Sequence, residues 1–137
     1  MKCHCAMLRR ASRALTNLYD EALSPVGLTV AQYALLNGFA RLGAVNISEA
    51  ARALQLDRTT LGRNVTPLAQ AGLIELLEGQ KDARERQIRL TDAGRQAMRR
   101  AKPRWEQAQA RILSRLGPEK LQTLHALLAE IEFVNPA

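Results

Sequence analysis

Apolar residues recur at intervals of three and four along nearly the whole chain, and that period changes once, between Leu73 and Leu90. A chain patterned this way folds as a set of amphipathic helices with one small region of sheet. The first apolar face is Leu8, Ala11, Leu15, Leu18 and Ala22, and Ser24-Pro25 and Gly27 break it. Thr29 followed by Gln32 is a capping-box pattern, predicting a helix through Tyr33, Leu35, Leu36 and Phe39 that Gly43 ends. Asn46 and Glu49 repeat that pattern ahead of a short helix with Ala50, Ala51 and Leu54 inward. Leu56-Asp57 turns the chain, and Asp57 caps a helix from Arg58 to about Ala71, stopped by Gly72.

The change of period then marks two strands. Leu73 to Leu77 reads as one and Gln87 to Leu90, alternating polar and apolar, as the other. Together they predict a β-hairpin with a long basic tip. Thr91 caps a long helix whose face carries Ala97, Ala101, Trp105, Ala108 and Ile112, with Pro103 expected to kink it or mark a boundary. Gly117-Pro118 separates a last helix with Leu121, Leu124, Leu128 and Ile131 in line. The expected fold is mainly α with a small β-hairpin, in a single domain spanning 1–137.

Composition narrows the function. Hydrophobic residues at 47% and charged residues at 24% are ordinary globular values. Aromatics at 4% are too few for most stacking-based RNA binders. No apolar run is long enough to span a membrane, and MKCHCAMLRR lacks the core of a signal peptide, so the expected location is cytoplasmic. The net charge is +7, and residues 52–104 supply most of it, with twelve basic against six acidic groups. Residues 105–137 are near neutral and rich in Leu and Ala. The middle of the chain suits a polyanion. The apolar seams at both ends suit a second copy of the chain, or packing on the middle segment.

Chemistry-bearing residues are sparse. His4 and His125 are the two histidines, and no nucleophile elbow, phosphate loop or H-E-x-x-H occurs, so no enzyme, metal site or cofactor is expected. Cys3-His4-Cys5 offers too few ligands for a structural zinc. It reads as an inert terminus, as a thiol sensor beside Lys2, Arg9 and Arg10, or as half of a zinc site shared across a dimer.

The constellation that carries function is two helices joined by a short turn, the second opening on polar residues: a helix-turn-helix. Leu61, Val65 and Leu68 face inward in that second helix, leaving Arg58, Thr59, Gly62 and Arg63 elsewhere on the wheel. Arginine matches guanine O6 and N7, threonine a thymine methyl or a phosphate, and a small Gly62 permits close approach. Behind it, Lys81, Arg84 and Arg86 in the hairpin can reach phosphates or the minor groove; alternatively they are a solvated loop. The candidate DNA-binding residues are Arg58, Thr59, Thr60, Arg63, Asn64, Lys81, Arg84 and Arg86.

From Asn46 to Gly94 the chain resembles the winged helix-turn-helix of MarR-family transcriptional regulators. Leu56, Arg58, Thr59 and Thr60 match the opening of the family's recognition helix, and Leu68, Gly72, Leu73 and Ile74 its exit. Leu90, Thr91 and Gly94 match the close of the motif; at the wing Asp82 and Arg84 match, while Ala83 replaces an arginine. The resemblance implies a DNA-binding lobe at 29–100 and dimerisation helices at 1–24 and 101–137. It implies a homodimer on a pseudo-palindromic operator in double-stranded DNA, with repression relieved by a phenolic or carboxylate ligand or by oxidation of Cys3 or Cys5. A small aromatic or carboxylate effector would meet Tyr33, Asn37 and Trp105, with Arg10 or Arg13 on its carboxylate; core rings and surface arginines are the plainer alternative. Non-specific, nucleoid-type DNA binding is the competing function.

Overall fold

A computed structural model describes residues 2–79 and 85–135. The elements run α1 (His4–Leu23), a 3-10 turn (Ser24–Val26), α2 (Val30–Leu42), β1 (Val45–Asn46), α3 (Ile47–Ala53), α4 (Arg58–Gln70), β2 (Ile74–Leu77), β3 (Gln87–Leu90), α5 (Asp92–Leu116) and α6 (Pro118–Glu132). This is a mainly helical winged helix-turn-helix.

The expected caps form. Thr29 accepts from the Gln32 N–H while the Gln32 side chain accepts from the Thr29 N–H, a complete capping box. Asn46 caps α3 by accepting from the Glu49 N–H at 2.8 Å, but the Glu49 side chain returns no bond to the Asn46 N–H, so this box is half formed; the Asn46 amide donates to Glu85 at 3.5 Å. Between α3 and α4, Gln55 takes a left-handed conformation, φ 56°, and this residue closes the tight turn of the helix-turn-helix. The expected kink or boundary at Pro103 does not end α5, which continues unbroken from Asp92 to Leu116.

The expected hairpin forms as β2 and β3, and β1 adds a strand to it. The sheet has three antiparallel strands in the order β1-β3-β2, with Val45 opposite Ile88 and Ile74 opposite Leu90. A two-residue strand carries no readable alternation, which is why β1 escapes a periodicity argument. Glu75 and Arg89 lie directly opposite on the exposed face and pair through their side chains.

One core joins these parts. Leu23, Leu36 and Phe39 from the first two helices meet Leu61 and Leu68 from α4 and Ile74 and Ile88 from the sheet, all essentially sealed from solvent. Thr91 ties the exit of β3 to this core. Its N–H reaches the Leu73 carbonyl at 3.2 Å, its hydroxyl donates to the Gly72 carbonyl at 2.7 Å, and the hydroxyl oxygen accepts from the Gly94 N–H at 3.1 Å. Gly94 is small for the same reason: a Cβ there would collide with the Leu73 carbonyl oxygen. Gly94→Ala should therefore cost about 1–3 kcal/mol, as overpacking against backbone does. A urea titration would show it as a lowered midpoint with an unchanged slope.

The terminal helices are less well covered. α6 buries no residue, and α1 buries only Leu23. Met7, Leu15, Leu113, Leu127, Leu128 and Ile131 are all more than a third exposed. No described helix is long and apolar enough to cross a membrane.

Candidate nucleic-acid interface

The candidate interface is built on α4. Leu61, Val65 and Leu68 are buried at four- and three-residue spacing, so the opposite face must point outward. On it Arg58, Thr59, Arg63 and Thr66 are exposed. Among the described residues, no carboxylate lies within ion-pairing distance of Arg58 or Arg63. No carboxylate of the described residues therefore occupies either guanidinium, which leaves donors for a further partner. An added Cβ at Gly62 would meet nothing within 4 Å, so its missing side chain leaves open space on the face rather than serving the backbone.

A cleft of about 350 Å³ separates this helix from the sheet. Arg58, Gly62 and Thr66 line one side and Ser48, Glu85 and Arg86 the others. Arg86 is exposed beside β3 and, lining the same cleft, shares a concave surface with α4. Lys81 and Arg84, expected at the wing tip, lie outside the described residues. Thr66 and Ser48 were not among the sequence candidates. Thr66 stands four residues after Gly62 and eight after Arg58, a spacing that places it on the same face.

Two sequence candidates have other work. The Thr60 hydroxyl donates to Asp57 Oδ2 at 2.9 Å, and the Thr60 N–H donates to Asp57 Oδ1 at 2.7 Å. The Asn64 side-chain amide donates to the Thr60 carbonyl at 3.0 Å. Both residues are half-buried and hold the first turns of α4 in shape. The bond from the Thr60 N–H, then the bond from its hydroxyl, hold the Asp57 carboxyl below the usual carboxylate range, with Arg63 adding to the effect. A depressed folded-state value means the cap contributes fully above the unfolded value near 3.9 and is lost as pH falls below it. Asp57→Asn should keep the cap but flatten the stability profile between about pH 5 and 3, relative to the parent chain. Thermal melts across that range read the difference, and parallel profiles for the two proteins would contradict it.

Of the remaining candidates, Tyr33, Asn37 and Trp105 come together, while Cys3, Cys5, Arg10 and Arg13 lie along the start of α1. Tyr33 is buried and packs on Trp105 with ring centroids 6.2 Å apart at 44°. Asn37 donates to the Tyr33 carbonyl at 2.8 Å, one turn back on α2. Arg10 and Arg13 are exposed on α1. Cys3 occupies the N-cap position of α1 without a side-chain capping bond, and Cys5 sits in its first turn; both are exposed free thiols. Among the described residues no cluster of His, Cys, Asp and Glu could hold a metal ion.

The model of the MarR family matches residues 26–85, the stretch from the start of α2 through the recognition helix to the wing. The M. tuberculosis transcriptional regulator MOSR, solved in complex with DNA, is 34% identical. It superposes with a TM-score of 0.81 over 98% of this chain and 100% of its own. This chain belongs to the MarR family. The transcriptional repressor CouR, solved on a 23-mer DNA duplex, is 27% identical, with a TM-score of 0.85 over 95% of this chain and 92% of CouR. The transcriptional regulator PecS of Dickeya dadantii is 28% identical over 128 residues, 91% of this chain and 77% of PecS. MarR-family proteins are DNA-binding transcriptional regulators rather than enzymes, and α4 with its exposed arginines lies within the matched stretch.

Proposed function

We propose that this chain is a cytoplasmic repressor that binds a pseudo-palindromic operator in double-stranded DNA as a homodimer. The observation that carries the reading is the outward face of α4, where two arginines without a carboxylate partner among the described residues flank an open glycine. Arg58, Thr59 and Arg63 read base edges, Thr60 and Asn64 position the helix, and Arg86, with Lys81 and Arg84, holds phosphates. The lobe at 29–100 supplies these contacts, and the helices at 1–24 and 101–137 join two copies through the apolar residues they leave exposed. That CouR is a repressor supports the sign of regulation.

Release follows from a phenolic or carboxylate ligand near Tyr33, Asn37 and Trp105 with Arg10 or Arg13, or from oxidation of the exposed Cys3 or Cys5. Footprinting tests the core of the proposal. One short protected palindrome, with half-sites about 10 base pairs apart centre to centre, supports it. Uniform coverage would point instead to nucleoid-type binding, and full operator affinity from a monomer would overturn the dimer. Gel shifts with diamide on the parent and a Cys3→Ser/Cys5→Ser variant, and with a hydroxybenzoate, separate the two release routes.

A further inference from the structure

Two neighbouring residues near the end of α1 hold different helices. The Tyr19 hydroxyl donates to Gln109 Oε1 in the second half of α5. Asp20 Oδ1 accepts at 2.8 Å from the N–H of Val30, the first residue of α2. Successive helix positions point about 100° apart, so one short stretch reaches two neighbours. Among the described residues these are the side-chain hydrogen bonds that run from α1 to another helix.

The Asp20 bond does more than cap a helix. α2 already has a complete capping box from Thr29 and Gln32, so it needs no second cap in order to start. What Asp20 adds is a fixed place for that start relative to α1. Its half-buried carboxylate meets an N–H at the positive end of the α2 dipole, and 2.8 Å is the length of a charge-assisted bond. The connection between the two helices turns through Ser24–Val26 and a left-handed Gly27, φ 77°. Leu23 and Leu28 are buried on either side of that turn. Apolar burial holds the two helices together without a preferred direction; the hydrogen bond is directional and fixes their angle.

We propose that Asp20 is a positioning residue for DNA binding, setting the angle of the lobe that carries α4 against the helices at 1–24 and 101–137. This rests on the homodimer reading above and adds what fixes each lobe within it. Tyr19, by holding α1 to α5, makes the mount from which Asp20 acts. Two lobes held at a set angle present their α4 helices at one separation and accept one half-site spacing. Loosened lobes accept several spacings and bind the best of them less tightly, because they must then be ordered in the binding step.

Binding titrations test this with the full-length parent, Asp20→Ala and Asp20→Asn. The probes are a duplex carrying the footprinted palindrome and a copy with two base pairs inserted between the half-sites. The insertion moves one half-site by about 7 Å and turns it by about 70°. The parent should bind the lengthened site roughly 100-fold more weakly. Asp20→Ala should lose roughly tenfold or less on insertion, while its affinity for the unaltered palindrome falls about five- to tenfold. Asp20→Asn keeps an oxygen acceptor in the same place, so its insertion penalty should stay within about threefold of the parent's. The penalty is a ratio of two affinities of one protein, so the folded fraction cancels from it. A residue that merely stabilised the fold would lower both affinities and leave the ratio unchanged. An Asp20→Ala penalty equal to the parent's, or an Asp20→Asn penalty as small as that of Asp20→Ala, overturns the inference and leaves the homodimer standing. A parent chain indifferent to the insertion overturns both.

Discussion

Leu61→Ala should destabilise the chain by about 2–5 kcal/mol, the cost of emptying a fully enclosed leucine site. Leu61 is wholly buried on the inner face of α4 and packs in the same core as Phe39 and Ile88. A neighbour cannot swing in cheaply, because that core is shared by helices and sheet and collapses only by moving one against the other. The substitution touches none of the exposed arginines, so its effect on DNA should follow the fraction of chain that is unfolded. A denaturant series would show a lowered midpoint, and protein that remains folded should keep the parent's sequence preference. A variant as stable as the parent would mean that α4 is not anchored through Leu61.

Arg63→Ala should cost about 1–3 kcal/mol of operator affinity, a loss of roughly five- to 150-fold, and should relax preference at one base pair. Arg63 is exposed, lies on the outward side of the recognition helix, and has no ion-pair partner among the described residues. Arg86→Ala, at the base of the wing, should behave differently. It should weaken operator and random DNA alike and reduce the salt dependence of binding by about one released counterion, the amount that a single neutralised phosphate accounts for. Binding titrations at several salt concentrations, on operator and scrambled duplex, distinguish the two. Equal loss on both duplexes for Arg63→Ala would contradict base reading.

The helices and their caps were legible because their signals are local. Thr29 with Gln32, Asp57 ahead of Arg58, and Gly117-Pro118 each satisfy or terminate backbone groups within a few residues. What escaped depends on contacts distant in sequence. Val45-Asn46 becomes a strand because β3, more than forty residues later, offers it an edge at Gln87 and Ile88. Within α4 the limit is a local one: composition does not show that the Thr60 hydroxyl and the Asn64 amide also bond three and four residues back along the helix. Tyr33 and Trp105, expected beside an effector, come from α2 and α5, and only the fold shows that their rings meet. Gly94 is the reverse case: a motif position in sequence, whose reason, the carbonyl of Leu73, only the fold supplies.

Because α5 is continuous, it acts mechanically as a lever. Its 25 residues span on the order of 37 Å, from the strand exit at Thr91 to the turn that starts α6. A tilt of about 3° at one end carries the other end through about 2 Å, which is comparable to the tolerance of a hydrogen bond to a base edge. Whatever repositions the terminal helices is thereby amplified before it reaches the lobe that carries the recognition helix. The lever has one compliant point. Pro103 lacks the N–H that would bond one turn back, so bending concentrates there, while the segments on either side move as rods.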